Sequence, residues 1–192
     1  SEGEPVGTTL WVMNSAPTVA SVELGPADAR EGDTLTCTAG ATTDADGDAV
    51  AIETRWTVNG AALTISSTTL SSDWFNQGDA VACTVTPTDG TDDGATRTSA
   101  AVTIENTPPV LASVGIGPTD PTELDTVACS PGATTDADGT TDFYYAYAWA
   151  VNGIAIARTG ATLTGADFDR GDKVRCDATP NDGTDDGATV TS

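Results

Sequence analysis

Aspartates that recur in short loops are the residues with the clearest chemical potential. Asp44-Ala-Asp-Gly-Asp48 and Asp89-Gly-Thr-Asp-Asp-Gly94 combine carboxylates with turn-forming glycine, and corresponding segments occur later in the chain. Ca²⁺ takes about six to eight oxygen ligands in flexible geometry. These clustered carboxylates therefore predict a Ca²⁺-binding site. The candidate ligands are Asp44, Asp46, Asp48, Asp89, Asp92, Asp93, Asp136, Asp138, Asp142, Asp182, Asp185 and Asp186. The alternative is that these residues are turn formers on a solvated acidic surface.

The sequence contains few residues that could act in catalysis. The chain contains no histidine. Paired carboxylates could act as in glycosidases, but those enzymes need an acid and a base in unlike surroundings. Here the same acids recur in both halves of the chain. We therefore expect no enzymatic activity.

The cysteines indicate two disulfides. The four residues Cys37, Cys83, Cys129 and Cys176 fall into two pairs with nearly equal separations, and no CxxC or Cys/His pattern is present. This arrangement favours one bridge in each half over a metal cluster. Disulfides persist in oxidising compartments, so we expect an extracellular or cell-surface protein.

The charge of the chain excludes several partners. The formal net charge is −22, so nucleic acid and anionic membrane surfaces would be repelled. No apolar run is long enough to span a bilayer, and we expect no direct membrane insertion.

An internal repeat organises the sequence. Trp56-Thr-Val-Asn-Gly60 corresponds to Trp149-Ala-Val-Asn-Gly153, and the aspartate loops correspond in the same way. Within each repeat, short alternating segments are separated by Gly, Asn, Asp and Pro clusters, which predicts an all-β sandwich. We divide the chain into an N-terminal segment (1–13), repeat 1 (14–106) and repeat 2 (107–192).

Each repeat places a cysteine before its tryptophan and a second cysteine after it, which is the immunoglobulin arrangement. Both repeats resemble the Ig-like, PKD-like and cadherin-like modules of bacterial surface proteins, over about residues 14–192. The resemblance implies two tandem antiparallel sandwiches, with each tryptophan packed on the bridge. It also implies that both aspartate loops of a repeat lie at one end of its sandwich, where calcium stiffens cadherin-like arrays.

The two repeats differ at their last strand, which we call strand G. Repeat 1 continues through Thr98-Ser-Ala-Ala-Val-Thr-Ile-Glu105, an alternating segment that predicts strand G. Repeat 2 stops at Thr191-Ser192, the counterpart of Thr98-Ser99. We therefore expect the second sandwich to lack its last strand and to present an open edge.

The N-terminal segment has the pattern of the missing strand. Leu10 and Val12 stand in the register of Val102 and Ile104. The apolar residues that could form a donor strand are Leu10, Trp11, Val12 and Met13. If this strand completed repeat 2 of another copy, the contact would propagate into a head-to-tail filament.

Two other functions remain open. The chain could be a stalk segment of a long multi-domain surface adhesin, in which case these residues are a window of a longer array. It could also be a carbohydrate-binding module, for which Trp11 and Trp74 are the tryptophans able to stack on a sugar. Arg170-Gly-Asp172 matches an integrin-binding tripeptide, but the same Gly-Asp pattern precedes other cysteines and indicates a turn that leads into a strand.

Overall fold

The computed structural model describes residues 9–192, and residues 1–8, which form most of the predicted N-terminal segment, lie outside it. The residues divide into two compact units. The first comprises residues up to Ala29, Asp33–Phe75 and Asp79–Thr103, and the second comprises Arg30–Gly32, Asn76–Gly78 and Ile104–Ser192. No helix within the described part is long and apolar enough to cross a membrane.

Ten strands and one 3₁₀ turn build the described part of the first unit, from residue 9 onwards. The strands are Thr18–Val19 (β1), Val22–Gly25 (β2), Leu35–Ala39 (β3), Thr42–Thr43 (β4), Ala51–Val58 (β5), Ala61–Ala62 (β6), Thr69–Leu70 (β7), Ala80–Thr88 (β8), Arg97–Thr98 (β9) and Val102–Thr103 (β10). The 3₁₀ turn is Ser72–Trp74. One sheet has the order β2-β3-β7, the other has the order β10-β8-β5-β6 with β9 also on β8, and β1 pairs with β4.

Nine strands build the second unit in the same way. They are Val110–Leu111 (β11), Val114–Gly117 (β12), Val127–Pro131 (β13), Thr134–Thr135 (β14), Tyr144–Val151 (β15), Ile154–Ile156 (β16), Thr162–Leu163 (β17), Val174–Asn181 (β18) and Val190–Thr191 (β19). Its sheets have the orders β12-β13-β17 and β16-β15-β18-β19, and β11 pairs with β14. The predicted fold of two antiparallel Ig-like sandwiches is confirmed.

Alternation along the strands explains the cores. In β8 every second residue is buried, from Val81 through Cys83 and Val85, because successive side chains of a strand point to opposite faces. The disulfides Cys37–Cys83 and Cys129–Cys176 join the two sheets of each unit, as predicted. Trp149 is 2 % exposed and lies opposite Cys176 on the neighbouring strand. The core of the second unit therefore forms around this tryptophan and its disulfide.

Strand G corrects one expectation. The first half of this strand exists in both units, since β19 pairs with β18 as β9 pairs with β8. The second half, β10, pairs Val102 with Val81. Within residues 9–192 no strand takes the corresponding place beside Val174. The second sandwich thus keeps part of the strand that we expected to be missing, because β19 begins before Thr191-Ser192.

Candidate functional site

The loop between β4 and β5 gathers three aspartates of the first unit. Asp44, Asp46 and Asp48 each place a carboxylate oxygen within 4.8 Å of the others. Asp44 organises the loop, since its Oδ1 accepts the backbone amides of Asp46 at 2.8 Å and Asp48 at 3.3 Å. Its Oδ2 is buried and lacks a hydrogen-bond partner among the described residues. A buried carboxylate oxygen without a partner is unfavourable, and a cation would satisfy it.

Asn14 connects the second aspartate loop to the start of the sandwich. Its Nδ2 donates to Asp89 Oδ2 at 3.0 Å and to Asp92 Oδ2 at 2.9 Å. The amide of Ser15 donates to Asp46 Oδ2 at 2.6 Å. The segment that precedes β1 is therefore anchored to both aspartate loops of its own unit.

The second unit repeats these contacts. Asn106 Nδ2 donates to Asp182 Oδ2 at 2.9 Å and to Asp185 Oδ2 at 3.0 Å. The amide of Thr107 donates to Asp138 Oδ2 at 2.6 Å, and the amide of Asp138 donates to Asp136 Oδ1 at 2.8 Å. Asp136 Oδ2 and Asp138 Oδ1 are buried without a hydrogen-bond partner in the described part of the chain. The two repeats thus leave the corresponding oxygens Asp44 Oδ2 and Asp136 Oδ2 unsatisfied.

Two glycines allow this anchoring. A Cβ at Gly94 would lie 1.8 Å from the carbonyl oxygen of Pro17, and a Cβ at Gly187 would lie 2.0 Å from that of Pro109. Only a residue without a side chain permits such an approach of two backbones. The second glycine of the Asp-Gly-Thr-Asp-Asp-Gly motif is therefore explained by packing.

Hydrogen bonds and like charges shift the pKa values in these loops in opposite directions. The side chain of Asn14 and the backbone amides of Asp92 and Thr91 lower the pKa of Asp89. For Asp182, burial would raise the pKa, but hydrogen bonds from Asn106 and from backbone amides outweigh it and lower the pKa. These two carboxylates are therefore stabilised as anions by the protein itself.

Glu31 experiences the opposite effect within the second unit. Burial raises the pKa of its carboxyl group, and so do the nearby carboxylate of Asp138 and the negative charge of Asp136. The backbone amide of Gln77 opposes this effect only in part. The carboxyl group of Glu31 therefore lies in a region of excess negative charge.

The remaining predicted ligands lie apart from the group around Asp44. Asp93 and Asp142 are exposed, and Asp186 Oδ1 accepts the side-chain amide of Asn181 at 2.8 Å. Among residues 9–192, the only carboxylates with oxygens mutually within 4.8 Å in a set of three are Asp44, Asp46 and Asp48. Calcium binding at the wider set of residues stays a prediction.

The predicted donor segment is exposed and outside any strand. Leu10, Trp11, Val12 and Met13 are between 78 and 93 % exposed. A run of four apolar side chains in water is unfavourable, and such patches mark interaction sites. Trp74 is 46 % exposed, and Tyr144, on β15, is 68 % exposed.

An open groove borders the second unit at the unpaired part of β18. We define the edge groove by Ile116, Pro121, Val127, Phe168 and Val174, which line two adjoining cavities of about 310 and 330 Å³. Val174 pairs with Val151 on one side. Its counterpart Val81 is completely buried, because it pairs with both Val58 and Val102.

Arg170-Gly-Asp172 forms a turn, as its sequence context predicts. The amide of Arg170 donates to Glu123 Oε1 at 2.7 Å, and Asp172 accepts from Asp169 and Asn152. The pKa of Asp172 is lowered, first by the backbone amide of Asp169 and then by the side chain of Asn152. Its carboxylate is therefore committed to the turn that leads into β18.

Sequence reasoning missed the roles of Asn14, Asn106 and Glu31. The two asparagines were visible as corresponding positions before Pro17 and Pro109, and their equal spacing from the aspartate loops could have identified them. For Glu31 the sequence holds no comparable signal, because its proximity to Asp138 arises only in the folded chain.

Comparisons with known proteins give only distant likenesses. No protein-family model matches the chain, and no curated protein matches it. Three N-terminal domains of the bacteriophage RB49 highly immunogenic outer capsid protein are 18 % identical over 92 % of this chain, with a TM-score of 0.36. The FN1–FN3 domains of chicken CNTN1 are 10 % identical over 93 %, also with a TM-score of 0.36.

A third solved structure is a Ca²⁺-stabilised adhesin that helps an Antarctic bacterium to reach out and bind ice. It is 17 % identical over 94 % of this chain, with a TM-score of 0.35. The chain covers 58 % of the capsid protein structure, 68 % of the CNTN1 structure and 48 % of the adhesin structure. At these scores the likenesses carry no functional argument, and the fold assignment rests on the strand order of each unit.

Proposed function

We propose that this chain is a structural, non-catalytic segment of an extracellular array of Ig-like domains, of the kind found in PKD-like and cadherin-like surface proteins. One observation carries the proposal: Asn14 and Asn106 bind the corresponding aspartates of their own sandwiches at 2.9 to 3.0 Å. A contact that recurs at the start of each sandwich is expected where such sandwiches follow one another in the sequence. The disulfides agree with an oxidising environment.

The location of the protein tests this proposal. We expect an antibody against the folded chain to label intact cells of the producing organism, and protease added outside the cells to remove the label. An antibody against a cytoplasmic protein is the control for cell integrity. Labelling that appears only after permeabilisation would contradict an extracellular array.

We further propose that the array uses calcium at its aspartate loops. The supporting observation is the set of buried oxygens without partners, namely Asp44 Oδ2, Asp136 Oδ2 and Asp138 Oδ1. Carboxylate oxygens are the ligands that Ca²⁺ prefers, and the ion would supply positive charge where Glu31 is held near Asp136 and Asp138. Asp182 and Asp185 would act by holding Asn106, which fixes the neighbouring loop.

Calorimetry with and without a chelator tests the calcium proposal. We expect Ca²⁺ to raise the melting temperature of the wild-type chain, and the Asp136→Asn variant to lose the part of this rise that comes from the second unit. Asp142→Asn is the matched control, since Asp142 is exposed. Equal melting temperatures with calcium and with chelator would contradict the calcium proposal and would indicate that these loops are turns without a bound ion.

A more specific form of the function is head-to-tail assembly into a filament. It is supported by the exposed apolar run from Leu10 to Met13. An extended segment can add to the edge of a sheet through main-chain hydrogen bonds. A donor segment that binds a different surface of the next copy makes a heterologous contact, which can propagate into a filament.

Sedimentation of truncated chains tests the assembly. We expect the full chain to form large particles with increasing concentration, and deletion of residues 1–13 to leave monomers. Deletion of residues 1–8 is the matched control, because it keeps Leu10 and Val12. Particles that survive the longer deletion would refute the donor role of this segment.

A further inference from the structure

We propose that Asn59 and Asn152 are sites of spontaneous covalent modification by deamidation, and that Asp79 and Asp172 hold them in a form that resists it. The inference concerns the hairpins that follow β5 and β15, and it goes beyond the proposed structural role. It rests on the chemistry of the Asn-Gly dipeptide and on hydrogen bonds that are the same in both units.

An asparagine followed by glycine has a side-chain amide that the backbone can attack. The asparagines that precede a glycine in this sequence are Asn59 and Asn152, and both are exposed to solvent. Asparagine is among the thermolabile residues of proteins. A following glycine has no side chain to shield its amide nitrogen. The reaction is therefore open to both dipeptides wherever the asparagine side chain can turn toward that nitrogen.

The modification needs only the chain and water. The backbone nitrogen of Gly60 gives up its proton and bonds to Cγ of Asn59. The bond between Cγ and Nδ2 breaks, and Nδ2 takes up that proton and leaves as ammonia. Water then adds to one of the two carbonyl carbons of the resulting five-membered imide and opens it to aspartate or isoaspartate. Both products carry one more negative charge than asparagine, and the same steps apply to Asn152 with Gly153.

The neighbouring strand engages both polar atoms of the Asn59 side chain. Nδ2 donates to Oδ1 of Asp79 at 2.7 Å, and Oδ1 accepts the backbone amide of Ala80 at 3.0 Å. The backbone amide of Asn59 donates to the carbonyl oxygen of Ala80 at 2.8 Å. A side chain that is fixed at both polar atoms cannot rotate freely to present its Cγ to Gly60. Departure of Nδ2 would also break its bond to Asp79.

The second unit reproduces these contacts around Asn152. Nδ2 donates to Oδ1 of Asp172 at 2.6 Å, and Oδ1 accepts the backbone amide of Lys173 at 3.0 Å. The backbone amide of Asn152 donates to the carbonyl oxygen of Lys173 at 2.8 Å. Alanine in one unit and lysine in the other contribute only backbone atoms to these bonds. The carboxylate is therefore the side chain that both arrangements share.

The products would fit the fold less well than asparagine does. A hydrogen bond to a charged acceptor is stronger than one between neutral groups, and Nδ2 makes such a bond at both sites. Deamidation would replace this donor by a negatively charged oxygen next to Asp79 or Asp172, and like charges so close together repel. Isoaspartate would in addition lengthen the backbone of a two-residue hairpin by one atom. Either product should weaken the attachment of the hairpin to the neighbouring strand.

Peptide mapping by mass spectrometry measures the modification at each site. The full 192-residue chain is incubated at mildly alkaline pH and sampled over time. A synthetic peptide of residues 54–65 is the reference for the same dipeptide outside the fold. We expect Asn59 to react at least about tenfold more slowly in the chain than in the peptide, because the charge-assisted hydrogen bond at Nδ2 must break. Equal rates in chain and peptide would overturn the inference.

Substitution of the two carboxylates tests their role. Asp79→Ala should speed the reaction at Asn59 at least about tenfold and leave Asn152 unchanged. Asp172→Ala should do the reverse, so each site is the control for the other in the same sample. An unchanged rate at the site that lost its carboxylate, or equal acceleration at both sites, would contradict the assigned role.

A destabilised variant separates this role from general loosening of the first unit. A Cβ at Gly94 would lie 1.8 Å from the carbonyl oxygen of Pro17, so Gly94→Ala should lower the melting temperature without removing a partner of Asn59. We expect Asn59 to react in this variant at close to the wild-type rate. If Gly94→Ala accelerates the reaction as strongly as Asp79→Ala does, unfolding and not the carboxylate controls the rate, and the inference is wrong.

Discussion

Replacement of Gly187 by alanine tests how the start of the second sandwich is anchored. The amide of Gly187 donates to the carbonyl oxygen of Pro180 at 2.8 Å. An added Cβ would lie 2.0 Å from the carbonyl oxygen of Pro109 and 2.9 Å from the ring of Pro180. Both distances are well inside van der Waals contact, and neither neighbour is the end of a flexible side chain.

The expected cost follows from what must move. Relief of the clash requires a backbone shift at Pro109 or at Gly187, and overpacking of this kind costs about 1–3 kcal/mol. Because both neighbours are rigid, we expect a value near the upper limit, about 3 kcal/mol. For a unit of this size that lowers the melting temperature by roughly 12–24 °C. Gly160→Ala is the matched control, since its Cβ would meet no atom within 4 Å.

Differential scanning calorimetry measures both variants. We expect Gly160→Ala to melt at the wild-type temperature or slightly above it, because alanine restricts the unfolded chain. Gly94→Ala should produce the corresponding loss in the first unit, where its Cβ would lie 1.8 Å from the carbonyl oxygen of Pro17. If Gly187→Ala and Gly160→Ala have the same melting temperature, the backbone of Pro109 does not lie as close to Gly187 as the structure places it.

Three further outcomes follow. Replacement of Cys129 and Cys176 by alanine should cost the second unit about 4 kcal/mol in urea unfolding, because the bridge closes a long loop. Because the pKa of Asp182 is lower in the folded chain than its unfolded value of about 3.9, its carboxylate stabilises the fold at pH values above the unfolded value. This stability is lost as the pH falls through the folded pKa. Asp182→Asn should therefore make the free energy of unfolding depend less on pH on the acid side. Trp149→Phe should cost about 2 kcal/mol in the same urea assay, since the indole N–H bond to a backbone carbonyl at 2.7 Å is lost together with buried ring volume.

The fold was predictable because its signals are local and repeated. The spacing of Cys37, Trp56 and Cys83 predicted the disulfide and the central strands, and alternation predicted the inward faces. Asn-Gly predicted the hairpin after β5, where Asn59 has a φ of 51° and Gly60 one of 79°. Each of these features depends on residues close in the chain or on a repeated spacing.

The site was less predictable because its contacts depend on distant residues. The sequence suggested that all loop aspartates of a repeat converge as equals. In the folded chain Asp89 and Asp92 hold Asn14, whereas Asp44 keeps an unsatisfied oxygen. Partners for a carboxylate come from elsewhere in the chain, so composition and spacing alone could not assign these roles.

The disulfides also determine how far each sandwich can be extended by force. Cys37 and Cys83 are separated by 46 positions, so the residues between them cannot lengthen the chain when its ends are pulled. At about 3.5 Å per residue, the bond withholds roughly 160 Å of contour length, and the second bond withholds a similar amount. A tethered protein built from such units would extend only through the residues outside these loops and would lengthen further once its disulfides were reduced.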